Sequence, residues 1–230
     1  MYTCVDDTLG GFNSFVDRQK ETNPAGNMSL FIFNNVFDMV YQNKKMTDVQ
    51  PLTREMFLPQ GQTALLDAIG ETIKHAEKVN TENHKTVVIL TDGEENFSSN
   101  FTKAHINDLI RIKKEIGKWT FVFLGANQDA IKEAGKLGIP ECSAMTFDQQ
   151  HTQATFESLS QAVTRQVTGE SQTVEFTGLE RAASQTTPGS PQSKSEVFTG
   201  VPHDSVRSIT ASGLARTPTI WMGDDTVPIV

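Results

Sequence analysis

Apolar positions in the first 167 residues recur with two spacings, one typical of helices and one of strands. Val5, Leu9, Phe12 and Val16 are four, three and four residues apart, which places them on one helical face. The same spacing predicts further helices around residues 66–76, 106–116, 130–134 and 156–163. Continuous apolar runs predict buried strands at residues 28–33, 86–91 and 119–124, and a weaker strand at 144–147.

The order of these elements predicts the fold class. Asn34 and Asn35 separate the run at 28–33 from a second strand-like run at 36–42, which indicates an antiparallel hairpin. The later strands are each followed by a helix, as in parallel sheets that are covered on both faces. We therefore expect an α/β fold with a doubly wound, mostly parallel, Rossmann-like sheet. One antiparallel edge strand and helices on both faces complete this prediction.

Beyond residue 167 the composition changes. Residues 168–218 are rich in Ser, Thr, Gly, Pro and Gln and have little apolar periodicity. Such segments bury too little apolar surface to offset the entropy of ordering them. The sequence thus predicts a domain at residues 1–167 and a flexible tail at residues 168–230.

The end of the tail has a pattern of its own. Residues 219–222 and 226–230 are largely apolar and flank a Gly-Asp-Asp turn, which predicts two short strands. One interpretation is a docked terminus that covers an apolar patch. The other is a partner-binding peptide that acts by strand addition, with Trp221, Ile229 and Val230 as its contacts.

Charge and composition exclude several classes of partner. The 230 residues include 20 Lys and Arg against 28 Asp and Glu, a net charge of −8, which disfavours binding to nucleic-acid phosphates. No apolar run approaches the roughly 20 residues of a membrane span, and the N-terminus lacks the features of a secretory signal. We expect a cytoplasmic protein with no membrane partner. Cys4 and Cys142 are too few for a disulfide framework or a zinc site.

Two polar segments adjoin the predicted elements at the positions where α/β sheets bind ligands. Asp92 and Gly93 follow the strand at 86–91, so a carboxylate stands at the strand tip. It is either a cation ligand or part of an ordinary Asp-Gly turn. Thr63, in a loop with Gly61, precedes a predicted helix and is either an N-cap or a second oxygen ligand.

These two segments, together with residues 121–129 (Phe-Val-Phe-Leu-Gly-Ala-Asn-Gln-Asp), resemble a von Willebrand factor type A domain. The resemblance covers residues 1–167 and is closest to compact bacterial and phage forms. It implies a metal-ion-dependent adhesion site that holds Mg²⁺ or Mn²⁺ and binds an Asp or Glu carboxylate of a protein partner. Thr63 and Asp92 match two metal-ligand positions of the family. The residues expected to border the site are Gly61, Gly93, Glu94 and Asn127.

The sequence departs from the family at its N-terminus. The family's first strand and its Asp-x-Ser-x-Ser metal loop have no counterpart here, and that strand is central in the family's sheet. We consider three explanations: a natural polypeptide that starts upstream of Met1, a gap filled by another chain or by the C-terminal tail, or a fragment that folds poorly alone. We favour the first. Cation binding is expected only when the missing loop is supplied.

The leading functional hypothesis is therefore a cation-assisted protein-binding module for adhesion or assembly, and not an enzyme. The alternative is a metal-independent structural or scaffold protein, such as a phage or virion component. A phosphotransferase is less favoured, because Glu94 stands where a second Asp would be required and no Walker-type loop is present. Glu94 and Glu95 are adjacent and are interpreted as part of a solvated loop.

Overall fold

The computed structural model describes residues 5–57, 61–79, 83–126, 129–185 and 217–223. The helices are α1 (Val5–Thr22), α2 (Leu65–Lys78), α3 (Lys103–Glu115), α4 (Ala130–Lys136), α5 (Thr152–Val167) and α6 (Gly178–Ala183). The strands are β1 (Asn27–Phe33), β2 (Phe37–Lys45), β3 (Lys85–Thr91), β4 (Trp119–Ala126), β5 (Ala144–Phe147) and β6 (Thr217–Gly223). Short 3₁₀ turns lie at Met46–Asp48, Glu141–Ser143 and Gln149–His151.

The strands form one six-stranded sheet in the order β2-β1-β6-β3-β4-β5. β1 and β2 make the predicted antiparallel hairpin, and β3, β4 and β5 are parallel neighbours. In the hairpin turn, the Val36 N–H donates to the Asn34 side-chain oxygen at 2.7 Å, which explains the asparagine at this position. The α/β class and the antiparallel edge strand β2 are confirmed.

The core has two layers, one on each face of the sheet. Because successive strand residues point to opposite faces, Val88 and Leu90 of β3 pack with α1 and α5. Val87 and Ile89 of the same strand pack with α2, α3 and α4. Burial on both faces accounts for the uninterrupted apolar runs in the sequence.

The centre of the sheet is filled by β6, which the pattern analysis did not place there. β6 pairs antiparallel with β1 and with β3, so that Ile220 lies opposite Leu30 on one side and Val88 on the other. The prediction of a single antiparallel strand is therefore incomplete. Of the three explanations considered for an absent central strand, the structure agrees with the second, since the chain's own C-terminal segment lies between β1 and β3. The favoured explanation, a start upstream of Met1, stays a prediction.

Pro218 is the second residue of this central strand. It lies opposite Ile32 of β1, one residue before the pairing of β6 with β3 begins at Thr219. Proline lacks the N–H group that a strand with two neighbours needs. Pro218 pairs with β1 but lies outside the pairing with β3, so no second neighbouring strand requires a hydrogen bond from it.

The segment that follows α5 also packs on the domain, whereas the composition predicted a flexible tail from Thr168. Val174 and Phe176 are buried beside α5. The α6 helix begins with a capping box between Thr177 and Glu180. Residues 224–230, with the second predicted tail strand and its Ile229 and Val230, lie outside the described residues. In the part of the chain that the structure covers, no helix has the length and apolar character of a membrane span.

A candidate cation site at the carboxyl edge of the sheet

The loops that follow β1 and β3 and the loop that precedes α2 meet at one edge of the sheet. Gly61 adopts a positive φ of 94°, and a Cβ added there would lie 2.5 Å from the Asn35 side-chain oxygen. Both the backbone conformation and the close approach therefore require glycine. The Ala64 N–H donates to the Asn34 carbonyl at 2.9 Å, which fixes this loop against the hairpin turn.

Thr63 is held by a reciprocal pair of hydrogen bonds with the loop after β3. Its N–H donates to the Asn96 side-chain oxygen at 2.9 Å, and the Asn96 N–H donates to the Thr63 carbonyl at 3.1 Å. The residue is only 4% exposed. The N-cap of α2 is Ala64, so the Thr63 hydroxyl does not have the capping role considered as its simplest explanation.

Asp92 lies at the tip of β3, half-buried at the same edge. The turn beyond it is set by the Thr91 hydroxyl, which donates to the Gly93 carbonyl at 2.8 Å and accepts from the Gly93 N–H at 3.2 Å. One carboxylate oxygen of Asp92 accepts from the Gln149 side-chain amide at 3.3 Å. Gln149 belongs to the turn after β5, so three loops contribute to this position.

Gly93 brings the Thr63 and Asp92 segments into direct contact. A Cβ added to Gly93 would lie 2.6 Å from the Thr63 hydroxyl oxygen, closer than any stable side chain allows. The structure thus places the two predicted ligand residues in adjoining loops, with Gly93 between them. Glu94, the next residue, is exposed to solvent.

Glu95 has a role that the sequence analysis missed, and its interpretation as part of a solvated loop is wrong. Its carboxylate accepts from the Leu66 N–H at 2.9 Å, in the first turn of α2. It also accepts from the Phe97 N–H at 2.9 Å, and from the Ser98 N–H and hydroxyl at 2.7 and 2.6 Å. Glu95 therefore caps α2 from another loop. No local pattern could have signalled this, because Glu95 and Leu66 are far apart in the sequence.

The remaining predicted contacts cannot be placed as side chains. Asn127, Ile229 and Val230 lie outside the described residues. Trp221 belongs to β6 and has a defined backbone position opposite Ser29 and Val87, while its side chain is outside the description.

The donor set for a metal is small. Within the described ranges, no group of three or more His, Cys, Asp and Glu side chains is arranged to hold a metal ion. The Thr63 hydroxyl and the Asp92 carboxylate are hard oxygen donors of the kind that Mg²⁺ prefers. Mg²⁺ usually retains several waters and uses one or two carboxylates. These two residues therefore suit a weakly bound cation that keeps most of its water ligands.

Comparison with known proteins found no matching protein-family model and no matching curated protein. The resemblance to a von Willebrand factor type A domain therefore rests on the residues quoted above.

Proposed function

We propose that this chain is a protein-binding module that acts through the loops at the carboxyl edge of its sheet. A divalent cation, Mg²⁺ or Mn²⁺, held by Thr63 and Asp92 assists the binding. The observation that carries the proposal is the contact of the two loops at Gly93, where a Cβ would meet the Thr63 hydroxyl at 2.6 Å. A buried hydroxyl and a half-buried carboxylate thus lie in adjoining loops at the carboxyl edge of the sheet.

The charge of the protein supports a role for the cation. The chain carries a net charge of −8, and two acids, Asp92 and Glu94, lie on either side of Gly93 at the proposed binding edge. An Asp or Glu side chain of a partner would be repelled there, since like charges disfavour association. A bound divalent cation supplies a positive charge that attracts the partner carboxylate. Thr63 and Asp92 hold and orient the cation, and Gln149 orients the Asp92 carboxylate.

Titration of the full chain with Mn²⁺, followed by electron paramagnetic resonance, tests this proposal. We expect Asp92→Asn and Thr63→Val to weaken Mn²⁺ binding about tenfold or more, a loss of about 1.4 kcal/mol. Glu94→Gln removes an exposed charge from the same loop and serves as the matched control, with an expected effect below about twofold. Circular dichroism verifies the fold of each variant. Equal Mn²⁺ affinity in all the chains would refute the assignment of the ligands.

A second candidate function is a metal-independent scaffold or structural component. The observation in its favour is the Glu95 carboxylate, which orders the loop after β3 through four hydrogen bonds from protein groups. This alternative predicts that EDTA and Mn²⁺ leave the free energy of unfolding unchanged. The cation-assisted module predicts stabilisation by Mn²⁺ that follows its binding curve and disappears in Asp92→Asn.

A further inference from the structure

The slot between β1 and β3 has two hydrogen-bonding sides, and β6 satisfies both. Along β1 the pairing runs from Asn27 opposite Gly223 to Phe33 opposite Thr217. Along β3 it runs from Lys85 opposite Gly223 to Ile89 opposite Thr219. Without β6 the facing backbone groups of β1 and β3 would be unpaired in the middle of the sheet, which is costly.

The chain reaches this slot through an unusually long connection. Gln185, the last described residue before β6, donates from its side chain to the Thr146 carbonyl of β5. β5 is an edge strand, and β6 lies three positions from it, or about 14 Å at the usual strand spacing. Residues 186–216 join the two places, and a chain of that length can extend to about 100 Å. Connections between neighbouring elements are commonly only about 2 to 6 residues long.

The number of residues in this connection far exceeds what the distance requires, so its length does not by itself restrict β6 to its own domain. We propose that the slot between β1 and β3 also accepts residues 217–223 of a second copy of the chain, and that two copies exchange β6 strands to form a closed dimer. Every backbone pair of the monomer is made again in this dimer, between copies. Such an exchange of an identical element is a low-cost route to a symmetric dimer.

Concentration decides between the two arrangements. A strand on a long connection has an effective concentration on the order of millimolar or below at its own slot. The exchanged dimer therefore increases as the protein concentration approaches that range, above all when chains refold together. This proposal is independent of the cation, since neither Thr63 nor Asp92 pairs with β6.

Cysteine cross-linking between differently labelled full-length chains tests the exchange. Cys4 and Cys142 are first replaced by Ser. Val88→Cys is then introduced in one chain and Ile220→Cys in the other, because these residues are opposite each other across β3 and β6. A second pair, Ile89→Cys with Thr219→Cys, covers the adjacent position, since close and wide pairs alternate along an antiparallel ladder. The two chains are mixed in urea, refolded together and oxidised.

In the mixture, a disulfide between the two chains above the level of random collision requires the β6 strand of one to lie beside the β3 strand of the other. We expect a cross-linked dimer whose yield rises at least several-fold between about 10 µM and about 1 mM protein. The control for random collision uses Ile112→Cys in place of Val88→Cys, because Ile112 is exposed on α3 and does not pair with β6. A chain that carries both cysteines of a pair reports pairing within one copy.

The outcomes separate clearly. A concentration-dependent dimer well above the collision control supports the exchange. The exchange would be overturned by a result in which the doubly substituted chain cross-links internally but the mixtures yield no more dimer than the collision control at any concentration. In that case β6 pairs only within its own copy of the chain. Absence of cross-linking in both arrangements and at both positions would also overturn it, because β6 would then not occupy the slot.

Discussion

The carboxylates of Asp67 and Glu95 each bind the backbone of the other's segment. Glu95 accepts from the Leu66 N–H at the start of α2. Asp67, one residue further along α2, accepts from the Phe101 N–H at 2.9 Å and from the N–H groups of Ser99 and Asn100 at 3.0 Å. Both carboxylates also lie at the positive end of the α2 dipole. This reciprocal clamp holds the loop of Asp92 against the loop of Thr63.

We predict that Glu95→Gln lowers the free energy of unfolding by about 2 kcal/mol, because hydrogen bonds to a charged acceptor are stronger than those to a neutral one. Asp67→Asn should act in the same direction. Glu94→Gln removes an equal charge from the same loop and should change stability by less than about 0.5 kcal/mol. Urea unfolding measures all three. If Glu95→Gln lowered the free energy of unfolding no more than Glu94→Gln does, the clamp would not contribute to stability.

The contact between Gly93 and Thr63 yields a rescue experiment. Gly93→Ala should destabilise the fold by about 1 to 3 kcal/mol, because its Cβ would lie 2.6 Å from the Thr63 hydroxyl. Thr63→Ala removes that oxygen, and the double variant should recover most of the stability. Cation binding should remain impaired in the double variant, since the hydroxyl donor is gone. Urea unfolding and Mn²⁺ titration follow the two effects separately. A double variant no more stable than Gly93→Ala would show that the two loops are not in this contact.

Periodicity predicted the elements because each depends on local burial. The face of Val5, Leu9, Phe12 and Val16 is buried in α1, as the spacing indicated. The weak strand at 144–147 is β5 with the same bounds. Asp92 could be selected because it follows a strand, at the end where α/β sheets bind ligands, and Thr63 because it lies in a glycine-containing loop directly before a predicted helix.

The pattern of apolar positions could not predict which segments that are distant in the sequence pair with each other in the fold. The apolar segment at 219–222 signals a strand, but nothing within it specifies β1 and β3 as its neighbours. Glu95 likewise has the sequence environment of a surface loop, and its function depends on Leu66 reaching it in the folded chain. Val174 and Phe176 are two isolated apolar residues in a polar segment, too few to produce a periodic signal, yet both are buried.

Two adjacent glycines of α1 provide a matched pair of substitutions. Gly10 is exposed, and a Cβ there would meet nothing within 4 Å. Gly10→Ala should therefore stabilise the protein by about 0.5 to 1 kcal/mol through helix propensity. At Gly11 the Cβ would lie 2.5 Å from the ring of Phe156, which is buried in α5. Gly11→Ala should destabilise by about 1 to 3 kcal/mol.

Thermal and urea unfolding of the two single variants measure this difference directly. Mn²⁺ binding should be unchanged in both, since α1 contributes neither Thr63 nor Asp92. Similar stabilisation by both substitutions would mean that α1 and α5 do not pack at the close distance described for Gly11.

The ion pair between Arg165 and Glu180 should make the docking of α6 depend on pH. Two guanidinium nitrogens of Arg165 donate to the two carboxylate oxygens of Glu180, at 2.8 and 2.9 Å. Burial raises the pKa of Glu180, but the hydrogen bonds from Arg165 and Thr177 outweigh it and hold the pKa below its ordinary value of 4.5. A carboxyl group with a lowered folded-state pKa stabilises the fold above its unfolded-state value. That stability is lost as the pH falls through the folded-state pKa.

Glu180→Gln isolates this charge, because glutamine can still serve in the capping box with Thr177. Near neutral pH we expect the variant to be about 2 kcal/mol less stable than the original chain. Below pH 4.5 the difference should shrink as Glu180 becomes protonated in the original chain. Glu175→Gln, at an exposed position near Arg165, is the control and should change stability little at any pH. Urea unfolding across the acidic range tests this, and a difference between Glu180→Gln and the original chain that stayed constant with pH would show that the charge of Glu180 does not stabilise α6.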